Sequence, residues 1–158
     1  MAKQYWLMKS EPDAYSIDDL KRDKQEPWDG IRNYQARNFM RDTMQVGDLV
    51  LFYHSNAKPP GVVGLAQIAS EPYPDALAFD PKSKYYAPKS NEADPTWILV
   101  DVGFIEKFDG IVSLDDMKAS DDLEEMLVVR KGQRLSIQPV DKKHFKIVCK
   151  MAKAKTKV

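Results

Sequence analysis

The stretch "NYQARNFMRDTMQVGDLVLFYHS", residues 33–55, changes period halfway along, and that change sets the fold class. Up to Met44, the positions Ala36, Phe39, Met40, Thr43 and Met44 recur at helical spacing and form one inward stripe. Gln35, Arg37, Asn38, Arg41 and Asp42 fall off that stripe. Gly47 ends the helix, and "GDLVLFYHS" (47–55) follows as a strand. "SNAKPPG" is a turn, and "VVGLAQIA" (62–69) is a second strand, in which Gly64 predicts a bulge or a close backbone approach.

Upstream, "YWLMK" (5–9) reads as a strand ending before Pro12. Ser16 with Asp19 predicts a capping box opening a short helix over 16–23. "EPWDGIR" (26–32) is a loop broken by Pro27 and Gly30. Downstream, residues 70–95 form a loop too long to be a mere connector, and such loops are often functional. "TWILVDVGFIEKF" (96–108) predicts a long strand, and Ser113 and Ser120 predict caps for two short helices. "QRLSIQPV" (133–140) and "HFKIVCK" (144–150) read as two further strands joined by "DKK". The expectation is an α+β chain of five or six mostly antiparallel strands, a curved sheet or small β-barrel with short helices at its rim. It is one domain over residues 1–150, with a basic tail over 151–158 that has no core-facing pattern and is expected to be disordered.

The apolar fraction of 43% is that of a globular fold, while 24 basic residues against 24 acidic leave no net charge. That balance excludes coating nucleic acid by bulk charge but leaves room for a local basic groove. The one cysteine, Cys149, excludes an intramolecular disulfide and reads as a buried spectator. A reduced, cytoplasmic setting in a bacterium is expected, with no membrane association and a monomer. "MAKQYWLMKSEP" turns polar too soon for a signal peptide, and no apolar run approaches the roughly 20 residues of a membrane span.

Catalytic patterns are sparse. No HExxH, glycine-rich phosphate loop or GxSxG occurs, and no metal or cofactor is expected. His54 and Ser55 are strand neighbours pointing to opposite faces, so they do not form a simple base and nucleophile pair. The pairs Asp18–Asp19, Asp115–Asp116 and Glu124–Glu125 read as capping and solvation of helices.

A flat heterocycle needs a ring to stack on, planar donors and acceptors at its edge, and a wall limiting size. "WDGIRNYQARNFMR" (28–41) concentrates such groups. Trp28 is either a cap over the core or a stacking platform, and Asn33 is either the helix N-cap or an amide facing a base edge. Lys9, Ser10 and Glu11 close the first strand, while Tyr53, His54 and Ser55 close another. Trp97 opens a strand near the long loop, and Arg130, Lys131 and Arg134 around Gly132 are candidates for phosphate. Together these groups favour a nucleobase or nucleotide pocket over a flat protein interface.

The runs "YWLMKSEPDAYSIDDL", "WDGIRNYQARNFMRDTMQVGDLVLFYHS", "GVVGLAQI" and "VVRKGQRLSIQPV" closely resemble the EVE domain, from residue 4 to about 150. The resemblance implies a PUA-like β-barrel flanked by helices, related in fold to YTH and ASCH domains. It also implies non-enzymatic binding of a modified base, a modified cytosine in particular, in DNA or RNA. Carried onto this chain, it implies a site built from Lys9, Ser10, Glu11, Trp28, Arg32, Asn33, Gln35, Ala36, Asn38, Tyr53, His54 and Ser55, with Trp97 near its mouth. The alternatives are an RNA-binding module of PUA type and a small-molecule hydrolase using His54.

Overall fold

Leu49 to Tyr53 are buried without interruption, because their strand has an apolar core on each of its faces. The structure, a computed structural model, describes residues 3–90, 93, 95–132 and 135–158. In chain order its elements are β1 (Tyr5–Ser10), α1 (Ile17–Asp23), β2 (Gln25–Pro27) and α2 (Tyr34–Asn38), which runs into a π-helical turn (Phe39–Thr43). There follow β3 (Leu49–His54), β4 (Gly61–Ile68), β5 (Tyr73–Pro74), a 3₁₀ turn (Ala76–Phe79), β6 (Ile98–Leu99) and β7 (Asp101–Ser113). The chain ends with α3 (Leu114–Lys118), 3₁₀ turns at Asp121–Leu123 and Leu127–Val129, β8 (Ile137–Pro139) and α4 (Lys142–Met151).

Six strands form one curled half-barrel sheet in the order β2-β7-β4-β3-β1-β8. The pairings are antiparallel except that of β1 with β3, where Tyr5 lies opposite Leu49 and Ser10 opposite His54. A parallel pair needs a long crossover, and here it carries α1, β2 and α2. Trp6, Met8, Val50 and Phe52 face one core, closed by Ile17 and Leu20 of α1 and by Ala36 and Met40. Leu7, Leu51 and Tyr53 face the other, closed by Met117 of α3 and by Phe145, Val148 and Cys149 of α4.

The capping box is present: Ser16 Oγ accepts from Asp19 N at 3.1 Å, and Ser16 N donates to the Asp19 carboxylate at 2.9 Å. Ser113 caps α3, whereas Ser120 begins its turn with no side-chain bond. Gly64 sits at a register shift, where an added Cβ would lie 2.4 Å from the Glu106 carbonyl. Cys149 is buried, and burial pushes its thiol up to about 11.

Five expectations need correction. Residues 144–150 are helix, not strand. His144, Phe145, Val148 and Cys149 are buried at i, i+1, i+4 and i+5, one helical stripe against the second core, and "DKK" is the helix start. Of the strand expected over 133–140, the described residues 135–140 form only β8, and the strand expected over 96–108 breaks at Val100 into β6 and a β7 reaching Ser113. Gln25–Pro27, expected as loop on its C-terminal side, pairs with β7. The tail folds back: Ala152, Ala154 and Val158 pack on the second core, and the Lys155 and Thr156 amides each donate to Glu106 at 2.9 Å.

A buried carboxylate anchors the start of the parallel pair. Asp48 accepts from Gln4 N at 3.1 Å, Gln45 N at 2.9 Å and Trp6 Nε1 at 3.0 Å. Asp48→Ala leaves these donors without their acceptor and is expected to lower the unfolding free energy by about 3 kcal/mol in denaturant titrations. Asp48→Asn, which keeps one acceptor oxygen, should recover part of that loss.

Candidate functional site

Because β1 and β3 run parallel and in register, their C-terminal ends lie side by side at one rim of the sheet. Beside that rim is an open pocket of about 490 Å³, within the size range of small-ligand sites. The end of β1 supplies Lys9, Ser10 and Glu11, and the chain after it supplies Ala14 and Tyr15. The end of β2 and the loop beyond it supply Glu26, Pro27, Trp28, Asp29, Gly30 and Ile31, and the long loop adds Tyr85.

The loop after β2 is held at both ends. Trp28 N donates to Val100 O at 2.9 Å. Gly30 N donates to the carboxylate of Asp75 at 2.9 Å, and Asp75 is only 2% exposed. The same carboxylate takes Arg32 Nη1 at 3.0 Å and Leu77 N at 2.9 Å. Arg32 also donates to the Tyr85 carbonyl, at 3.0 Å from Nε and 2.6 Å from Nη2. Gly30 has a φ of +77°, and a Cβ there would lie 2.9 Å from the Tyr85 ring. Glycine is therefore required both for the turn and for the approach of Tyr85.

The lining is acidic. Among the described residues Lys9 is its single cation, against Glu11, Glu26 and Asp29. Burial, and then the charges of Asp75 and Glu26, raise the Asp29 carboxyl above its ordinary range. Burial lowers the Lys9 ammonium, which lies 5.7 Å from the Tyr53 ring centroid. Burial and a hydrogen bond to Asp23 push the Tyr15 phenol upward, so it remains a donor.

Of the residues singled out in the sequence, Lys9, Ser10, Glu11 and Trp28 meet in this pocket. The others lie elsewhere. Trp28 itself is 7% exposed and packs edge-on against Phe52, centroids 5.7 Å apart, so most of its ring is core and only part is pocket wall. The Ser10 hydroxyl donates to Tyr15 O at 2.5 Å and is spent as a donor. Arg32 is spent on Asp75 and Tyr85 behind the wall rather than on a ligand's backbone. Asn33 is the N-cap of α2, its Oδ1 accepting from Ala36 N at 2.9 Å. Ala36 is buried in the first core, while Gln35 and Asn38 are exposed on α2 outside the lining.

Tyr53 is buried in the second core, and Ser55 N donates to Ser10 O at 3.0 Å, tying the two strand ends together. His54 Nε2 accepts from Ile17 N at 3.1 Å. A neutral imidazole has one acceptor nitrogen, so His54 has no free lone pair with which to act as a base. Trp97 lies behind Arg32, 5.2 Å from its guanidinium, and outside the pocket lining. Arg130 and Lys131 are exposed on a turn that does not contribute to the lining, and Arg134 lies outside the described residues.

Sequence reasoning missed Tyr15, Glu26, Asp29, Asp75 and Tyr85. Glu26 and Asp29 flank Trp28 in "EPWDG", and that loop carried the signal. Tyr85 lies in the long loop already marked as functional. Nothing local distinguishes Asp75, because its burial arises only when that loop folds over residues 30–32.

Asp75→Ala strands Arg32, 22% exposed, without its carboxylate and frees two amides. A loss of about 3 kcal/mol is expected in denaturant unfolding, with faster hydrogen exchange at Gly30 and Leu77. His54 gives a pH signature. Burial, reinforced by Lys107 and opposed by Asp18, holds its pKa below the ordinary value. The unfolded chain then binds the proton more readily, so this contribution to stability is lost as pH falls below about 6.5. His54→Gln, which retains an acceptor for Ile17 N, should flatten the dependence of the denaturation midpoint between about pH 6.5 and 5.

Comparison with known proteins adds a lineage to this geometry. The EVE domain family model matches residues 4–151. Human thymocyte nuclear protein 1 is 40% identical over 162 residues, covering 91% of this chain and 72% of that protein. The crystal structure of the human protein in complex with DNA containing 5-methylcytosine has a TM-score of 0.88 at 38% identity, covering 98% of this chain and all of that one (100%). A crystal structure of a protein from Pseudomonas syringae has a TM-score of 0.89 at 43% identity, covering 94% and 99% of the two chains.

Proposed function

The chain belongs to the EVE family, and from that premise we propose that it binds a modified cytosine carried by DNA, without a chemical step, in the pocket between β1, the loop after β2 and Tyr85. The human relative is seen with DNA containing 5-methylcytosine. The observation in this chain that carries the reading is the chemistry of the pocket lining, to which Glu26 and Asp29 contribute together with Trp28. Among the described lining residues, three acids against one lysine repel a phosphate but suit a neutral base. Carboxylates accept from the N4 amine of cytosine, whereas thymine presents a carbonyl oxygen at that position. A base inside the pocket has left its stack, as bases bound in enclosed pockets must. Apolar wall from Trp28, Pro27 and Ile31 accommodates the ring and a 5-substituent.

5-Methylcytosine and thymine share the methyl group and differ at the edge, so they make the decisive pair of probes. In titrations at one fixed low salt concentration, DNA oligonucleotides carrying 5-methylcytosine are expected to bind roughly 10-fold or more tighter than matched ones carrying thymine. Asp29→Asn and Glu26→Gln should shrink that ratio. They are better tests than Trp28→Ala, which opens a cavity in the core. Equal binding of cytosine, 5-methylcytosine and thymine by the unaltered protein would sink the reading. Matched RNA oligonucleotides test the choice of sugar.

A further inference from the structure

Tyr34, at the start of α2, is 61% exposed, yet its ring is held in place. It stacks on Trp97 with centroids 4.9 Å apart and planes 28° from parallel. The guanidinium of Arg37 lies 4.9 Å from the Tyr34 centroid and 5.9 Å from that of Trp97. These separations form a triangle of nearly equal sides, so the guanidinium sits beside the stacked pair and not on the outer face of Tyr34. That outer face is open to solvent.

Arg37 differs from Arg32 in how its charge is used. It donates to the Thr96 carbonyl at 2.9 Å and to Asn38 Oδ1 at 3.0 and 2.7 Å, and among the described residues both acceptors are neutral. Gln35 and Asn38 are exposed on the same short helix. A pre-positioned open ring beside a cation and exposed amides has the composition of a base-stacking platform.

The platform is linked to the pocket wall through Arg32. Trp97 is 5.2 Å from the Arg32 guanidinium, which is 5.5 Å from the ring of Tyr85, a lining residue. From Tyr34 to Tyr85 the path runs through three such contacts, each longer than the rise of about 3.4 Å between stacked nucleotides, so one strand reaches both within a few nucleotides.

We propose that Tyr34, backed by Trp97, stacks on a nucleobase near the one in the pocket on the same strand, with Arg37 alongside to meet a backbone phosphate. This inference rests on the pocket reading given above. The test uses the full chain with two DNA probes, a 5-methylcytosine oligonucleotide and the same oligonucleotide with abasic sites flanking the modified base. On the intact probe, Tyr34→Ala is expected to bind roughly tenfold more weakly than the unaltered protein, and Tyr34→Phe to bind as well as it. On the abasic probe, Tyr34→Ala and the unaltered protein should bind alike. Arg37→Gln should reduce the slope of log affinity against log salt by about 1. Undiminished binding of the intact probe by Tyr34→Ala would overturn the platform while leaving the pocket standing. So would an equal loss on both probes, which would mark a structural effect. Failure of the unaltered protein to bind either probe would overturn the pocket reading and the platform with it.

Discussion

The carboxylate of Asp75 is the contact on which the site depends. It is nearly buried, and it holds one amide from the loop after β2, one amide from its own turn and the guanidinium of Arg32. Burying an ion pair gains little net stability, but removing either partner is costly, so such a pair specifies an arrangement more than it strengthens it. Here the arrangement is the placement of a long irregular segment over residues 30–32. Through Arg32 it brings Tyr85 to the pocket, and through its backbone Asp75 bonds to Trp97 at 2.9 Å. Pocket and stacking platform therefore share one anchor.

The sheet sets where that anchor acts. Both faces of β1 and β3 are covered, α1 and α2 on one side and α3 and α4 on the other, so neither face is open to a ligand. The strand ends remain. The parallel pairing brings two of them together, and the crossover it requires is the segment that carries Tyr15, Glu26, Trp28 and Asp29. The topology that covers both cores thus also builds the pocket wall.

Charge is distributed with the same economy. Zero net charge conceals a pocket whose described lining holds three acids and one lysine, an arginine neutralised behind it and a second arginine held by neutral acceptors on α2. Such a surface favours the edge of a base over bulk attraction to phosphate. Recognition then depends on donors and acceptors at fixed positions, which is why a rigid anchor matters.

Local patterns were legible wherever a residue's partner lies close in the chain. The capping box of Ser16 and Asp19, the helical stripe ending in Met40 and Met44, and the apolar run of β3 are all interactions over a few residues. Gly64 was legible as a close approach because a glycine inside a strand has few other uses. The reading failed at α4 because "HFKIVCK" satisfies a short alternation as well as a helical stripe, and only the second core chooses between them. By itself the sequence determined the α+β class, the chief secondary elements, the strand-end location of Lys9, Ser10 and Glu11, and the loop position of Trp28. Tertiary structure alone decided that Asn33 caps a helix, that His54 serves Ile17 and that Arg32 serves Asp75. In each case the side chain's partner is an atom fixed only once the backbone has folded, and a polar group leaving water takes the partner that the fold puts within reach.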